Sequence, residues 1–219
     1  MHRILDRAFF ARDARNVARD LLGTLLVHRL DGQELIVRIT ETEAYVGPED
    51  LASHARGGRM TQRNRVMFGE AGHVYVFLIY GMYHCFNITA GVVHRPEAVL
   101  LRAGEAVDGI ETMLARRKLM GKAMSEQRRS REIASGPGRL CQALGLDLTH
   151  NGLDLTAETL SHPVFIARDG FSVKPEDIEA DARIGIDYAG EFREKPWRYY
   201  LKNNHTVSIT KEKRERSRK

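Results

Sequence analysis

Two stretches of alternating apolar residues meet at Asp31-Gly32, and that dipeptide limits the fold more than any other feature. Asp-Gly between such runs marks a tight hairpin turn, because both residues accept the left-handed backbone that the turn requires. Thr24 to Leu30 therefore reads as one strand and Glu34 to Tyr45 as its returning partner. Ahead of them, Asp13 is placed to cap a helix in which Ala14, Val17, Ala18, Leu21 and Leu22 recur at helical spacing, with Gly23 ending it. Val74 to Tyr80 and Tyr83 to Ala90 form a second hairpin with Gly81-Met82 at its tip, and Ala98 to Ala103 adds a further strand. Helices are expected around Asp108 to Met120 and Pro137 to Leu144, the second closed by Gly145. Short strands are expected at Val164 to Ala167, Arg198 to Leu201 and Val207 to Thr210. With no internal repeat, Pro-rich linker or boundary, the expected fold class is α+β: a single domain over residues 1–210, built on a curved antiparallel sheet with flanking helices and a protruding β-hairpin. Lys211 to Lys219 is expected to be a basic, disordered tail.

A chain of 219 residues that is 42% hydrophobic can build a packed core. No stretch approaches the ~20 apolar residues of a membrane span, and the opening MHRILDRAFFARDARN lacks the apolar run of a signal peptide. No membrane association is expected. Cys85 and Cys141 sit in apolar contexts, which favours buried thiols in a reducing compartment and leaves a disulfide open. The charge balance is basic, 34 Lys plus Arg against 29 Asp plus Glu, which suits a polyanionic partner. Its placement is more telling: Arg56, Arg59, Arg63 and Arg65 crowd one span, and Arg116, Arg117, Lys118, Lys122, Arg128, Arg129 and Arg131 crowd another.

Three local features carry chemistry. Glu41 and Glu43 continue the face of Leu35, Val37 and Ile39 if the strand alternates regularly, which puts two carboxylates about 6–7 Å apart. Charges on an apolar face are costly unless paired or used; the plain alternative is that one pairs with an arginine and the other is solvated. Val46 to Gly72 is long, rich in Gly and Arg and too polar for core; within it SHARGGR could bring backbone amides and guanidinia to an anion. In the second hairpin Tyr80, Met82 and Tyr83 surround a glycine at a turn, where large apolar groups have no core to fill and suit a wedge between stacked bases. Tyr75 and Phe77, lower down, suit core or a pocket wall. No metal is expected: His73, His84 and His94 lack ligand spacing, no H-E-x-x-H or C-x-x-C exists, and the zinc deaminase signature is absent.

The segments ETEAYVGPEDLASHARGGRMTQRNRVMF, YVFLIYGMYHCFN, VLLRA, SGPGRLCQALGL and ARIGI…AGE…KPWRYY, in that order across nearly the whole chain, resemble the alkyladenine (3-methylpurine) DNA glycosylases. The resemblance implies a monofunctional purine N-glycosylase of base excision repair, acting without a cofactor, as a monomer, inside the cell with the chromosomal DNA. Its partner would be double-stranded DNA containing alkylated or deaminated purines. Residue by residue it implies that Glu43 is the base that activates water, with Arg102 and the backbone carbonyl of Ile184 holding that water. Tyr45, His54 and Phe77 would line the pocket of the extruded base, a His54 backbone amide would read the base edge, and Asn87 would reject the 2-amino group of guanine. Tyr80 would fill the gap in the duplex with Met82 beside it, and Arg56, Arg59, Arg63, Arg65 and Arg139 would meet phosphates. Phe77 departs from the family's tyrosine, which preserves stacking and alters the range of damage accepted. Two other readings stay open: a damage-binding module without chemistry, and a hydrolase of free nucleosides.

Overall fold

The computed structural model describes residues 3–157 and 162–208. The basic tail and the end of the strand expected at Val207 to Thr210 lie outside these residues, while Val207 and Ser208 themselves are not in a strand. In chain order the elements are β1 (Arg3–Ile4), α1 (Arg7–Phe10), α2 (Ala14–Asp20), β2 (Leu25–Leu30), β3 (Gln33–Tyr45), β4 (Val74–Ile79), β5 (Tyr83–Ala90) and β6 (Glu97–Asp108). There follow α3 (Ile110–Arg116), α4 (Glu126–Ala134), α5 (Pro137–Leu144), β7 (Val164–Arg168), β8 (Ile178–Asp181) and β9 (Arg198–Leu201). The strands form one open sheet in the order β1-β7-β2-β3-β6-β5-β4, with β9 hydrogen-bonded to β3 and β8 to β9. Every pairing among the described residues is antiparallel. The architecture is α+β, as expected.

Local chemistry accounts for the elements. Asp13 caps α2, its carboxylate accepting from the Arg15 N–H at 2.9 Å. Leu30 pairs with Gln33, so Asp31 and Gly32 make a two-residue turn, both at positive φ (51° and 79°). Gly145 closes α5 in the left-handed conformation, giving its N–H to Cys141 and Gln142.

β3 is the spine. β2 pairs with its first half, from Gln33 to Arg38; β9 takes over the same edge from Glu41 to Glu43; and β6 runs along the other edge. It is buried almost continuously from Leu35 to Ala44, so the one-faced alternation expected for it does not hold. Register slips against β6 at Ile36/Val37, Ile39/Glu41 and Glu41/Thr42 break the regular spacing as well.

Two further expectations need correction, and two helices were not anticipated. Val46 to Gly72 is not too polar for core: Ala55, Met67 and Phe68 form a buried cluster with Tyr75 and Ala98, and Ala52 is buried elsewhere. β6 continues past Ala103 to Asp108, so α3 starts later than expected, after Gly109 at φ 72°. A side chain at Gly109 would sit 2.5 Å from Leu35 Cδ2, which is why the strand-to-helix corner takes a glycine. The basic segment around Arg128 folds as α4, capped by Ser125 and burying only Ile133 and Ala134, too narrow an apolar stripe to stand out in sequence. α1 was likewise not foreseen, being a single turn.

Candidate active site

Glu41 and Glu43 are both fully buried, which removes the alternative of one paired and one solvated carboxylate. They converge on one guanidinium. Arg102, from β6, places Nη1 3.2 Å from Glu43 Oε1 and Nε 3.7 Å from Glu41 Oε1. Glu41 is neutralised by Arg198 of β9 at 2.8 Å and accepts from the Ser208 N–H at 2.9 Å. Arg198 in turn bonds Asp181 at 2.9 Å and the Ala182 carbonyl at 2.8 Å. Glu43 has different company: the Ile184 N–H donates to Oε1 at 2.7 Å and the Tyr45 hydroxyl to Oε2 at 3.0 Å. Burial works against the Arg102 charge, but Glu43 and Glu41 outweigh it and hold the guanidinium more firmly protonated than usual. Burial, followed by the neighbouring Glu43 charge, drives the Tyr45 phenol well above its ordinary range, so it stays a hydrogen-bond donor.

Tyr45, Arg102 and Ile184, the three residues that hold Glu43, line a cavity of about 330 Å³ together with His54, Phe77 and Asn87, so that Glu43 sits directly behind its lining. That volume suits a small planar ligand. Its walls are aromatic: His54 lies edge-on to Phe77 at 4.5 Å between ring centres, and Tyr75 is 5.4 Å from Phe77. His54 Nδ1 hydrogen-bonds the Tyr75 hydroxyl at 2.8 Å. Desolvation among these rings, with help from Arg63 and Arg56, lowers the His54 pKa to about 4, so its imidazole is neutral at neutral pH. Desolvation raises the Tyr75 phenol to about 12 and the Cys85 thiol to about 11. Asn87 Nδ2 donates to the carbonyls of Tyr75 (2.9 Å) and Cys85 (3.2 Å), which fixes the amide's orientation.

The rim is exposed. Ile79 pairs with Tyr83, leaving Tyr80, Gly81 and Met82 as the loop of the hairpin. Tyr80 is 85% and Met82 66% exposed, and Tyr80 sits at φ 51°, a left-handed backbone rare for a tyrosine. Tyr83 differs from them, since its ring leans on Gly138 of α5. Across the mouth, Tyr188 is also exposed. Arg56, Arg59, Arg63 and Arg65 are all exposed, and Arg63 lies over the Phe77 ring at 5.1 Å. Arg139 is instead paired with Glu132 at 3.3 Å. Asn64 shapes this basic loop, its amide donating to the carbonyls of His54 (2.9 Å) and Arg59 (3.0 Å).

Thus the structure brings Tyr45, His54, Phe77, Asn87, Arg102, Ile184 and the exposed Tyr80 to one cavity, with Glu43 hydrogen-bonded behind its lining. The contact that Ile184 makes with Glu43 is through its N–H. Sequence reading missed Arg198, Arg183, Asp50 and Asn64. All four are buried. Arg198, Arg183 and Asp50 have side-chain partners more than a hundred positions away, which leaves no local signal. Asn64 binds backbone carbonyls of its own loop, contacts that residue spacing does not reveal. Cys85 and Cys141 are free and buried, with no disulfide between them. Among the described residues no group of three or more His, Cys, Asp or Glu is arranged to hold a metal, and no helix is long and apolar enough to cross a membrane.

Comparison with known proteins gives this geometry a family. The family model for methylpurine-DNA glycosylase matches residues 8–205. Similar proteins occur in Methanocella arvoryzae, 48% identical over 205 residues (94% of this chain, 96% of the relative), and in Natranaerobius thermophilus, 44% identical over 205 residues (94% and 98%). A relative in Bacillus cereus strain G9842 is 46% identical over 201 residues (92% and 97%). Each carries the name "Putative 3-methyladenine DNA glycosylase". The chain belongs to the methylpurine-DNA glycosylase family.

The state of His54 can be measured directly. Its folded pKa, about 4, lies below the ordinary 6.5, so between these values the unfolded chain binds the extra proton. The stability that the neutral ring contributes is therefore whole above about pH 6.5 and declines as pH falls toward 4. An NMR titration is expected to show His54 neutral until the pH approaches 4, and Arg63→Ala is expected to raise the midpoint. Protonation near the ordinary value would contradict this environment.

Proposed function

We propose that the protein is a base excision repair enzyme that rotates a modified purine out of duplex DNA into the aromatic cavity and hydrolyses its N-glycosidic bond. Family membership supports the reaction class. The observation that carries the reading is Glu43: a fully buried carboxylate held by an N–H, a phenol and a guanidinium that all belong to residues lining a cavity sized for a base. In the proposed reaction the bond between sugar and base breaks through an oxocarbenium-like state, and Glu43 both stabilises that cation and takes a proton from the attacking water. Arg102 and the Ile184 carbonyl hold the water. Tyr45, His54 and Phe77 enclose the base, Asn87 excludes the guanine 2-amino group, and the exposed arginines of residues 56–65 meet phosphates, with Arg139 joining them once released from Glu132. The enzyme is monofunctional in this reading and leaves an abasic site, which the lack of a lysine among the described residues lining the cavity supports. The relatives' name makes 3-methyladenine the first substrate to assign; other alkylated and deaminated purines complete the set. The enzyme works as a monomer without a cofactor, alongside the chromosomal DNA. The wedge and basic rim favour duplex DNA over a free nucleoside.

Glu43→Gln is expected to keep the fold and the affinity for lesion-bearing duplex but to lose base release, the amide being unable to accept a proton. Single-turnover release from a 3-methyladenine duplex measures it; a rate close to that of the unaltered protein would remove Glu43 as the base.

Tyr80→Ala separates wedge from core. Because the ring is exposed, melting temperature is expected to change little, whereas a buried aromatic cut to alanine costs about 3–5 kcal/mol. Affinity for damaged duplex is expected to fall, since the ring would offset an unstacking cost of a few kcal/mol. Lost stability with unchanged affinity would sink the wedge.

A further inference from the structure

Packed against the Tyr45 ring and the backbone on either side of it lies an ion pair that the proposed reaction leaves without a role. Arg183 and Asp50 are both wholly buried, and the guanidinium grips the carboxylate twice, at 2.5 and 2.8 Å. Each partner reaches further. Asp50 accepts from the N–H groups of Val46 (3.1 Å) and Ala52 (3.0 Å), closing the turn that leads into Ser53 and His54. Arg183 Nη1 also donates to the carbonyl of Ala44 (2.9 Å), the residue between Glu43 and Tyr45. Its guanidinium lies over the Tyr45 ring at 4.8 Å and over Trp197 at 5.0 Å. The next residue along the chain, Ile184, is the one whose N–H holds Glu43.

We propose that Arg183 and Asp50 are positioning residues: together they fix the base-enclosing wall, the Tyr45 ring and the Ile184 contact in one geometry relative to Glu43. This rests on the proposed role of Glu43. A simple fastener is the alternative, but a buried ion pair is a poor choice for that, since apolar residues of similar volume usually serve stability as well or better. Among the described residues Arg183 Nε is moreover buried without a partner, a cost that fastening alone does not explain. Geometry does explain it. The pair joins three segments that must agree in position, and reacting groups displaced by about 1 Å lose roughly a hundredfold in rate.

The test compares Asp50→Asn, Arg183→Lys and the apolar combination Asp50→Leu with Arg183→Met against the unaltered protein, by single-turnover release from a 3-methyladenine duplex. The single variants are expected to bind undamaged duplex normally, because the outer arginines are untouched. Base release at saturating enzyme is expected to slow roughly a hundredfold, with little change in the half-saturating concentration. The apolar combination is expected to recover melting temperature but not rate. Recovery of both, or single variants that lose melting temperature while keeping their rate per folded molecule, would overturn the proposal. Either set decides alone if the other does not fold. Glu43→Gln is run alongside: if it releases base at the unaltered rate, the reading of Glu43 fails whatever the pair does.

Discussion

Two glutamates two positions apart, both buried in a central strand, form the constraint on which the rest of the structure depends. A carboxylate taken out of water without a partner costs several kcal/mol, so each requires a cation beside it. β3 does not supply one; the cations come from β6 (Arg102) and β9 (Arg198). This explains an oddity of the sheet, in which β2 leaves β3 at Arg38 and a strand from the end of the chain takes its place at Glu41. β9 brings Arg198 to Glu41, and the segment before it brings Arg183 to Asp50 and Ile184 to Glu43. The late part of the chain thus completes the charge balance of the core and the carboxylate's surroundings together.

The site divides into a rigid floor and an open rim. The buried residues stand on strands and are tied by hydrogen bonds: the Asn87 amide nitrogen to two carbonyls, Arg198 to two carboxylates and a carbonyl. The rim residues Tyr80, Met82 and Arg56 are exposed, and Tyr80 carries backbone strain at the tip of its hairpin. Strain of that kind persists where surrounding structure imposes it, and it gathers at functional positions. For the proposed function the division is apt, because the floor must hold a reacting geometry while the rim meets a deformable polymer.

Legibility in the sequence followed the range of the determining interactions. The cap at Asp13, the Asp31-Gly32 turn, the second hairpin and the Gly145 terminus are set by neighbours in the chain, and they stand where periodicity and turn chemistry put them. The irregular span after Val46 reads as too polar because its apolar residues are few and set between polar stretches, yet Ala55, Met67 and Phe68 meet Tyr75 in space. β3 was misjudged as one-faced because nothing local records that both its sides are covered. At the site, the residues within the ETEAY and hairpin motifs were legible from resemblance. Asp50, Arg183 and Arg198 were not, since each means something only beside a partner 133 or 157 positions away. Glu41 was the instructive case: its charge was noticed, but its partner lay beyond any local pattern.

On the proposed function, the chemistry of the cavity walls also bears on which lesions are released. A purine methylated at N3 or N7 carries positive charge, and aromatic faces attract a cation by about 0.5–2 kcal/mol. By itself that is at most a factor of about thirty, too little to tell rare damage from abundant normal bases. The remainder has to come from bond breaking. A cationic base leaves without further protonation, whereas a neutral lesion such as hypoxanthine needs an acid. The cavity is poor in acids: His54 is neutral, with a pKa of about 4, and the Tyr75 phenol stands near 12. Phe77 removes the hydroxyl that the family's tyrosine would offer at that wall. Cationic alkylated purines are therefore expected to be released much faster than hypoxanthine at equal saturation, with the gap narrowing at acidic pH as solvent supplies the proton. Equal single-turnover rates on the two lesions would mean that an acid reaches the base from outside these walls.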